Sequence, residues 1–372
     1  MRTDVPFDLR LYGQLAGDKG NLFLSPYSIQ VALGMCSAGS QGQTQTCMAE
    51  LLSMSDDKGT QTKAFGKLIK EVVGDGGERP FELSTANALW MHASFRPNSD
   101  YVSLVKEIFR GELNIVDFVN QPDAACSALN EWCNVNTKEK IPKIIERDVI
   151  NRDTRLILSN VIYFKDAWRQ EFDKALTKDH TFHGQSGNFE MPMMTSKEYR
   201  CSYYEEPGVQ VADLLYKGDL AMTIFLPETT DAFARVERDL LGPGYQRLTQ
   251  RLSRGPKVKV LLPKFKVTTD YKLSDKLKIM GASLAFSDRA DFSGIGSDPD
   301  GVTLKISEVV HKAFVDVDEQ GTEAAAVTAV VMMRSLSMVE IKSFICDRPF
   351  IYVIRNVKTG TILFMGRLVD RP

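Results

Sequence analysis

The sequence predicts an α+β fold, and three observations lead there. Apolar spacings of three and four recur from Phe7 to Asn136, while β-rich runs dominate from Thr154 onward. No regular strand–helix alternation of the βαβ kind appears, and no internal repeat. Hydrophobic residues make up 43% and charged residues 25% of the 372, so a large core can be buried.

The elements follow in order. After Val5, Phe7, Leu11, Tyr12 and Leu15 share one helical face. Ser28 to Ser37 has helical spacing, Asp56 to Gly59 reads as a loop, and Thr60 to Val73 reads as a helix closed by Gly74. Leu83 to Met91 is a buried strand, and 99–109 and 122–136 are helices. Thr154 to Phe164 is a mid-sheet strand. Val209 to Tyr216 and Leu220 to Leu226 are two strands about the turn Lys217-Gly218-Asp219. Val258 to Val267 alternates around a proline and predicts one strand with an irregular point. Ser274 to Met280 is a short helix with Ser274 as its N-cap, and Val302 to Val317 is β-rich. Residues 341–369 predict two strands joined at Asn356 to Gly360.

Composition excludes several classes. Forty-six Lys and Arg against 48 Asp and Glu give a net charge of -2, which argues against a nucleic-acid-coating protein. No apolar run approaches the ~20 residues of a membrane span. The N-terminus carries no secretory core and the chain has no Asn-x-Ser/Thr sequon, which favours a cytosolic chain or an already mature one. The six cysteines form no C-x-x-C, and the four histidines form no H-E-x-x-H. No metal or cofactor is therefore expected, and the thiols read as structural.

One stretch resists this logic, from Asp316 to Met338. After Gly321 come small and β-branched residues without proline, followed by Arg334-Ser335. The plain reading is an ordinary strand or an Ala-rich helix. The alternative is a segment that works in two settings, first an exposed loop and then an inserted strand. Thr322, Ala324, Ala326, Thr328 and Val330 would then face one side, all small enough to enter a packed core.

Glu319-Gln-Gly321-Thr322-Glu-Ala324-Ala-Ala326 resembles the hinge of the reactive-centre loop in serpins, the serine protease inhibitor superfamily. Four more ordered motifs resemble the family: Asn21 to Ser28, Leu158 to Trp168, Leu262 to Phe265, and Asp347 to Phe350 with Gly360 to Arg367. The resemblance implies one domain over 1–372 with three β-sheets, eight or nine helices and an exposed loop at about 319–340. It also implies an inhibitor rather than an enzyme, one that acts as a suicide substrate. A serine protease attacks the loop, the cleaved loop inserts into the large sheet, and the acyl-enzyme is carried away and distorted. At ~3.3 Å per residue a strand of about 14 residues spans roughly 45 Å.

By the same resemblance, Glu319, Gly321, Thr322, Ala324 and Ala326 form the hinge. The shutter, where the sheet must part, matches Ser25, Ser28, Asn160 and His311; taken alone, His311 reads as a satisfied core histidine. The breach, where insertion begins, matches Trp168, Lys264 and Glu319, with Lys264 and Glu319 as an ion pair. The family's usual spacing puts the scissile bond at Ser335-Leu336, but Arg334-Ser335, one residue earlier, is preferred and suits a trypsin-like pocket. Met333-Arg334 is a third option. Lys63, Lys67 and Lys70 share a helical face in a region where heparin-activated serpins bind polyanion, although a solvated lysine face explains them more simply. The expected partner is a serine protease, the expected state a monomer, and the family favours secretion. The rival reading is a non-inhibitory serpin, such as a ligand carrier or chaperone. No hydrolase motif supports catalysis.

Overall fold

The structure is a computed structural model that describes residues 5–74, 82–322 and 341–372. Its helices are α1 (Phe7–Ala16), α2 (Pro26–Gly39), α3 (Gly42–Leu51), α4 (Lys58–Val73), α5 (Ser99–Glu107), α6 (Pro122–Asn136), α7 (Phe233–Leu240), α8 (Gly244–Arg251) and α9 (Ser274–Leu277). The strands of the first half are β1 (Leu22–Leu24), β2 (Glu82–His92), β3 (Arg96–Pro97), β4 (Glu112–Val116), β5 (Leu156–Ala167), β6 (Lys178–Gly184), β7 (Gly187–Glu206), β8 (Val209–Leu215) and β9 (Leu220–Pro227). Those of the second half are β10 (Ser253–Pro263), β11 (Phe265–Lys272), β12 (Gly296–Ser297), β13 (Ile306–Val317), β14 (Gly321–Thr322), β15 (Lys342–Ile345), β16 (Phe350–Asn356) and β17 (Ile362–Leu368).

These strands make three sheets, among the described residues. One has six strands in the order β11-β13-β14-β5-β2-β4. Another has nine, running β1-β17-β16-β9-β8-β7-β10-β15 with β6 on β7. β3 and β12 form a small third sheet. A main core lies on one face of the six-stranded sheet and takes Leu156, Leu158, Ile162 and Phe164 from β5. The alternate residues Ile157, Val161 and Tyr163 pack on the other side with α6. Strand parity thus assigns each β5 residue to one of two layers.

Local chemistry sets the boundaries. Asp57 accepts from the Thr60 N–H at 2.8 Å, so α4 begins at Lys58 and the expected loop is two residues shorter. Gly74 closes the helix with φ of 73°. Pro122 sits at the first turn of α6, where a missing N–H costs nothing. Ser274 is not an N-cap. It lies inside α9, donates to Glu308 and accepts from the Val309 N–H at 3.1 Å, tying α9 to β13.

Two larger expectations are corrected. Val258 to Val267 is not one strand: β10 ends at Pro263 in the nine-stranded sheet, and β11 starts at Phe265 in the six-stranded one. The buried parity shifts from Val258, Val260 and Leu262 to Phe265 and Val267, because the chain changes sheets. The 341–369 region holds three strands, β15, β16 and β17. The last of these is locked by Arg367. Its guanidinium donates to the Gly20 carbonyl at 2.9 Å, the Ala16 carbonyl at 3.0 Å and Glu237 at 3.0 Å, and Tyr12 donates to the same Glu237 at 2.7 Å.

Candidate functional site

β5 and β13 are neighbours in the six-stranded sheet, and they meet in two ways. Over their lower part they pair directly and in parallel, from Ile306↔Leu156 to Phe314↔Tyr163. At the upper end they separate, and β14 lies between them. There Thr322 is opposite Val317 on β13 and Asp166 on β5.

A polar row crosses the lower part. Asn87 on β2, Asn160 on β5, His311 on β13 and Tyr271 on β11 are successive register partners. Asn160 and His311 are 1% and 0% exposed, so every polar atom here needs a partner. The Ser25 N–H donates to His311 Nε2 at 3.2 Å, so the ring proton sits on Nδ1 and is donated to Asn160 Oδ1 at 2.5 Å. The Asn160 amide in turn donates to Asn87 Oδ1 at 2.5 Å and to the Ser28 hydroxyl. Ser25 caps α2 by accepting from the Ser28 N–H at 3.2 Å, and it donates to the Leu363 carbonyl at 2.6 Å. The Tyr271 ring stacks on His311 at 6.3 Å. Burial pulls the His311 ring down to about 3, so it is neutral. The four residues named from sequence meet here. Asn87 was missed, although it shares the inward parity of Leu89 and Met91 and stands out as the polar member of that row.

The upper end is built around Trp168 and Tyr216, which stack at 4.5 Å and 11°. Trp168 Nε1 donates to the Asp318 carbonyl at 2.9 Å, and its backbone N–H to the Gln320 carbonyl at 2.8 Å. The Phe172 N–H donates to the Glu319 carbonyl at 2.8 Å. Glu319 has a side chain 4% exposed; it pairs with half-buried Lys264 at 2.9 Å and accepts from Thr177 at 2.8 Å. Burial pushes this carboxyl up, but Lys264, its own backbone N–H and Thr177 outweigh it and leave it below the ordinary range.

Residues 319–322 were expected at the root of a projecting loop. Instead Glu319 is 3% and Thr322 0% exposed. The Thr322 hydroxyl lies 2.8 Å from the Tyr216 hydroxyl. Gly321 has φ of 155°, and a Cβ there would come within 2.1 Å of the Asp166 carbonyl oxygen. Only glycine fits so close to β5. The segment is buried because it already fills the gap between β5 and β13.

Ala324 and Ala326 of the hinge, and Met333, Arg334, Ser335 and Leu336 of the bait, lie outside the described residues. Lys63, Lys67 and Lys70 are exposed on α4, opposite the buried Phe65, Ile69 and Val72. The six cysteines are unpaired, and five of them are buried. Among the described residues no helix is long and apolar enough to cross a membrane.

A sheet with a gap and a strand root seated in it is the architecture of the serpins. The family model described as "serpin (serine protease inhibitor)" matches residues 3–371, and the chain belongs to that family. An uncharacterized serpin-like protein of Thermococcus kodakarensis is 38% identical over 367 residues, covering 98% of this chain and 84% of that one. The leukocyte elastase inhibitor of Sus scrofa is 34% identical, covering 98% of both chains. The solved structure of thyroxine-binding globulin in complex with thyroxine superposes with a TM-score of 0.86 at 27% identity, over 98% of this chain and 97% of that one. The family thus holds both a protease inhibitor and a ligand carrier on this scaffold.

Proposed function

We propose that the chain is an inhibitory serpin, a single-use trap for a serine protease. The observation that carries this reading is β14. The six-stranded sheet is parted at its upper end, and two loop residues already occupy the gap. Thr322 enters as a small, β-branched side chain that a sheet interior accepts. In this reading residues 1–372 act as one domain with Glu319 to Thr322 as the pivot, the polar row around Asn160 as the shutter, and Trp168, Lys264 and Glu319 as the breach.

The bond favoured as bait is Arg334-Ser335, whose guanidinium suits a pocket with a carboxylate at its base. The protease serine Oγ bonds to the Arg334 carbonyl carbon, the Arg334–Ser335 amide bond breaks, and the Ser335 amine leaves with a proton. Insertion of 322–334 between β5 and β13 then stalls hydrolysis of the ester. The test is to mix the chain with trypsin and run denaturing electrophoresis. A stable band at the summed mass, with a released fragment beginning at Ser335, is the expected result. A fragment beginning at Leu336 moves the bait one bond on, towards an elastase-like target. Cleaved chain with no stable complex for any serine protease would assign the chain to the carrier branch instead.

A further inference from the structure

Asp166 is the residue of β5 that β14 covers. It belongs to the inward row of Leu158, Asn160, Ile162 and Phe164, which otherwise faces the main core. It is 2% exposed, and neither carboxyl oxygen makes a well-formed hydrogen bond, with only weak pulls from the Ala167, Lys217 and Gly218 amides. Its register partner is Thr322, and the Gly321 backbone runs directly over its carbonyl. The Tyr216 ring, edge-on to Phe164 at 5.3 Å and stacked on Trp168, lines the same pocket.

An ionised carboxylate buried without a strong hydrogen-bond partner is among the costliest groups to bury. A neutral carboxyl in the same place costs far less. The seated position of β14 therefore depends on the proton that Asp166 carries. We propose that Asp166 is a protonation gate on the hinge: with its carboxyl neutral, Gly321–Thr322 stays seated between β5 and β13, and ionisation favours its release.

The surroundings agree. Burial pushes the Asp166 carboxyl up to about 7, against smaller downward pulls from the Ala167, Lys217 and Gly218 amides and the Lys217 cation. The ionisable groups that face it are Tyr216 and Lys217, both from the turn between β8 and β9. Tyr216 is occupied by Thr322, and Lys217 pairs with Glu171 at 3.4 Å. β14 brings no ionisable side chain in Gly321 and Thr322. Lys165, next on β5, has the opposite parity and faces the register of Glu82 on β2. With the hinge out, water reaches the carboxyl and its ordinary value of 3.8 applies. The seated state then binds the extra proton between those two values. Acid holds β14 in, and the bias towards release grows as pH rises from about 4 and is complete above about 7.

This gate rests on the strand-insertion reading, and one experiment separates the two. A synthetic peptide of sequence 322–334 competes for the gap and incorporates only when the hinge is out. Its rate of incorporation into the intact chain is followed by native gel across pH. For the wild type the rate is expected to rise at least about tenfold between about pH 5.5 and about pH 8. Asp166→Asn and, as a second variant, Asp166→Ala are expected to give flat profiles at the wild type's slow, acid-end rate. An equal rise in wild type and both variants overturns the gate and leaves insertion standing. No incorporation at any pH overturns insertion and the gate with it.

Discussion

The lower and upper contacts between β5 and β13 handle buried polarity in opposite ways. Below, Asn87, Asn160, His311, Ser25 and Ser28 are joined to one another by hydrogen bonds. Above, Asp166 is buried without a well-formed hydrogen bond, whereas Glu319 at the same end is well paired. A closed network holds strands in register. An orphaned carboxylate leaves a boundary that the next proton or the next strand can shift. On the strand-insertion reading, the sheet is firm where the strands part last and yielding where the new strand enters first.

Cutting the chain within 332–336 should collapse this contrast and give the largest effect. A full strand between β5 and β13 adds ladder hydrogen bonds and apolar burial along their length, so Tm by calorimetry should rise by about 20 °C or more. Equal melting curves for intact and nicked protein would deny any stored free energy. Next comes Thr322→Arg, which puts a guanidinium where the hydroxyl now meets Tyr216. A long guanidinium side chain does not fit the space of that hydroxyl inside the sheet, so the chain should become a substrate, its inhibition stoichiometry rising at least about tenfold while its fold is kept. Unchanged stoichiometry would remove Thr322 from the hinge.

Asn160→Ala strikes the firm region. It strands the His311 Nδ1 proton and the Asn87 carbonyl, and should cost about 2–4 kcal/mol in denaturant unfolding at unchanged m-value. Lys264→Met leaves Glu319 buried without its cation. Because Lys264 is 40% exposed, the loss should be smaller, about 1–2 kcal/mol. The smallest effect is in pH. His311 is held to about 3 against an ordinary 6.5, so the folded state binds fewer protons than the unfolded one between those values. Stability should therefore fall as pH drops below 6.5, by about 1 kcal/mol over the first unit. Protonation at Nε2 would also oppose the Ser25 N–H. Asp166 works in the reverse sense, so the slope is best read in an Asp166→Asn background, where His311→Gln should flatten it. Acid therefore loosens the lower contact while tightening the upper one.

Much of this was legible in the sequence where one residue dictates one local answer. Pro122 and Gly74 mark helix ends by backbone chemistry alone, whereas Ser25, Ser28, Asn160 and His311 are grouped in the sequence only through the family resemblance. The misses share a cause. Asn87 and Asp166 are polar residues at core parity, visible only once the register tells which face is the core. The sheet change at Pro263 was written as a parity shift, yet alternation around a proline reads equally well as one kinked strand. The burial of 319–322 was hidden for a different reason. Composition showed that the segment could be loop or strand, and only the gap beside β5 decides which part is strand.

The last described stretch, 341–372, puts β16 and β17 in the interior of the nine-stranded sheet, between β9 and β1, and pins them with Arg367. A break in the peptide chain ahead of it would separate two polypeptides that remain one particle. Such a molecule would keep its sedimentation rate and its elution volume, and it would show its two pieces only in denaturant. A nicked copy free of any protease would then be told from an intact one by the surface it displays and not by the loss of a fragment.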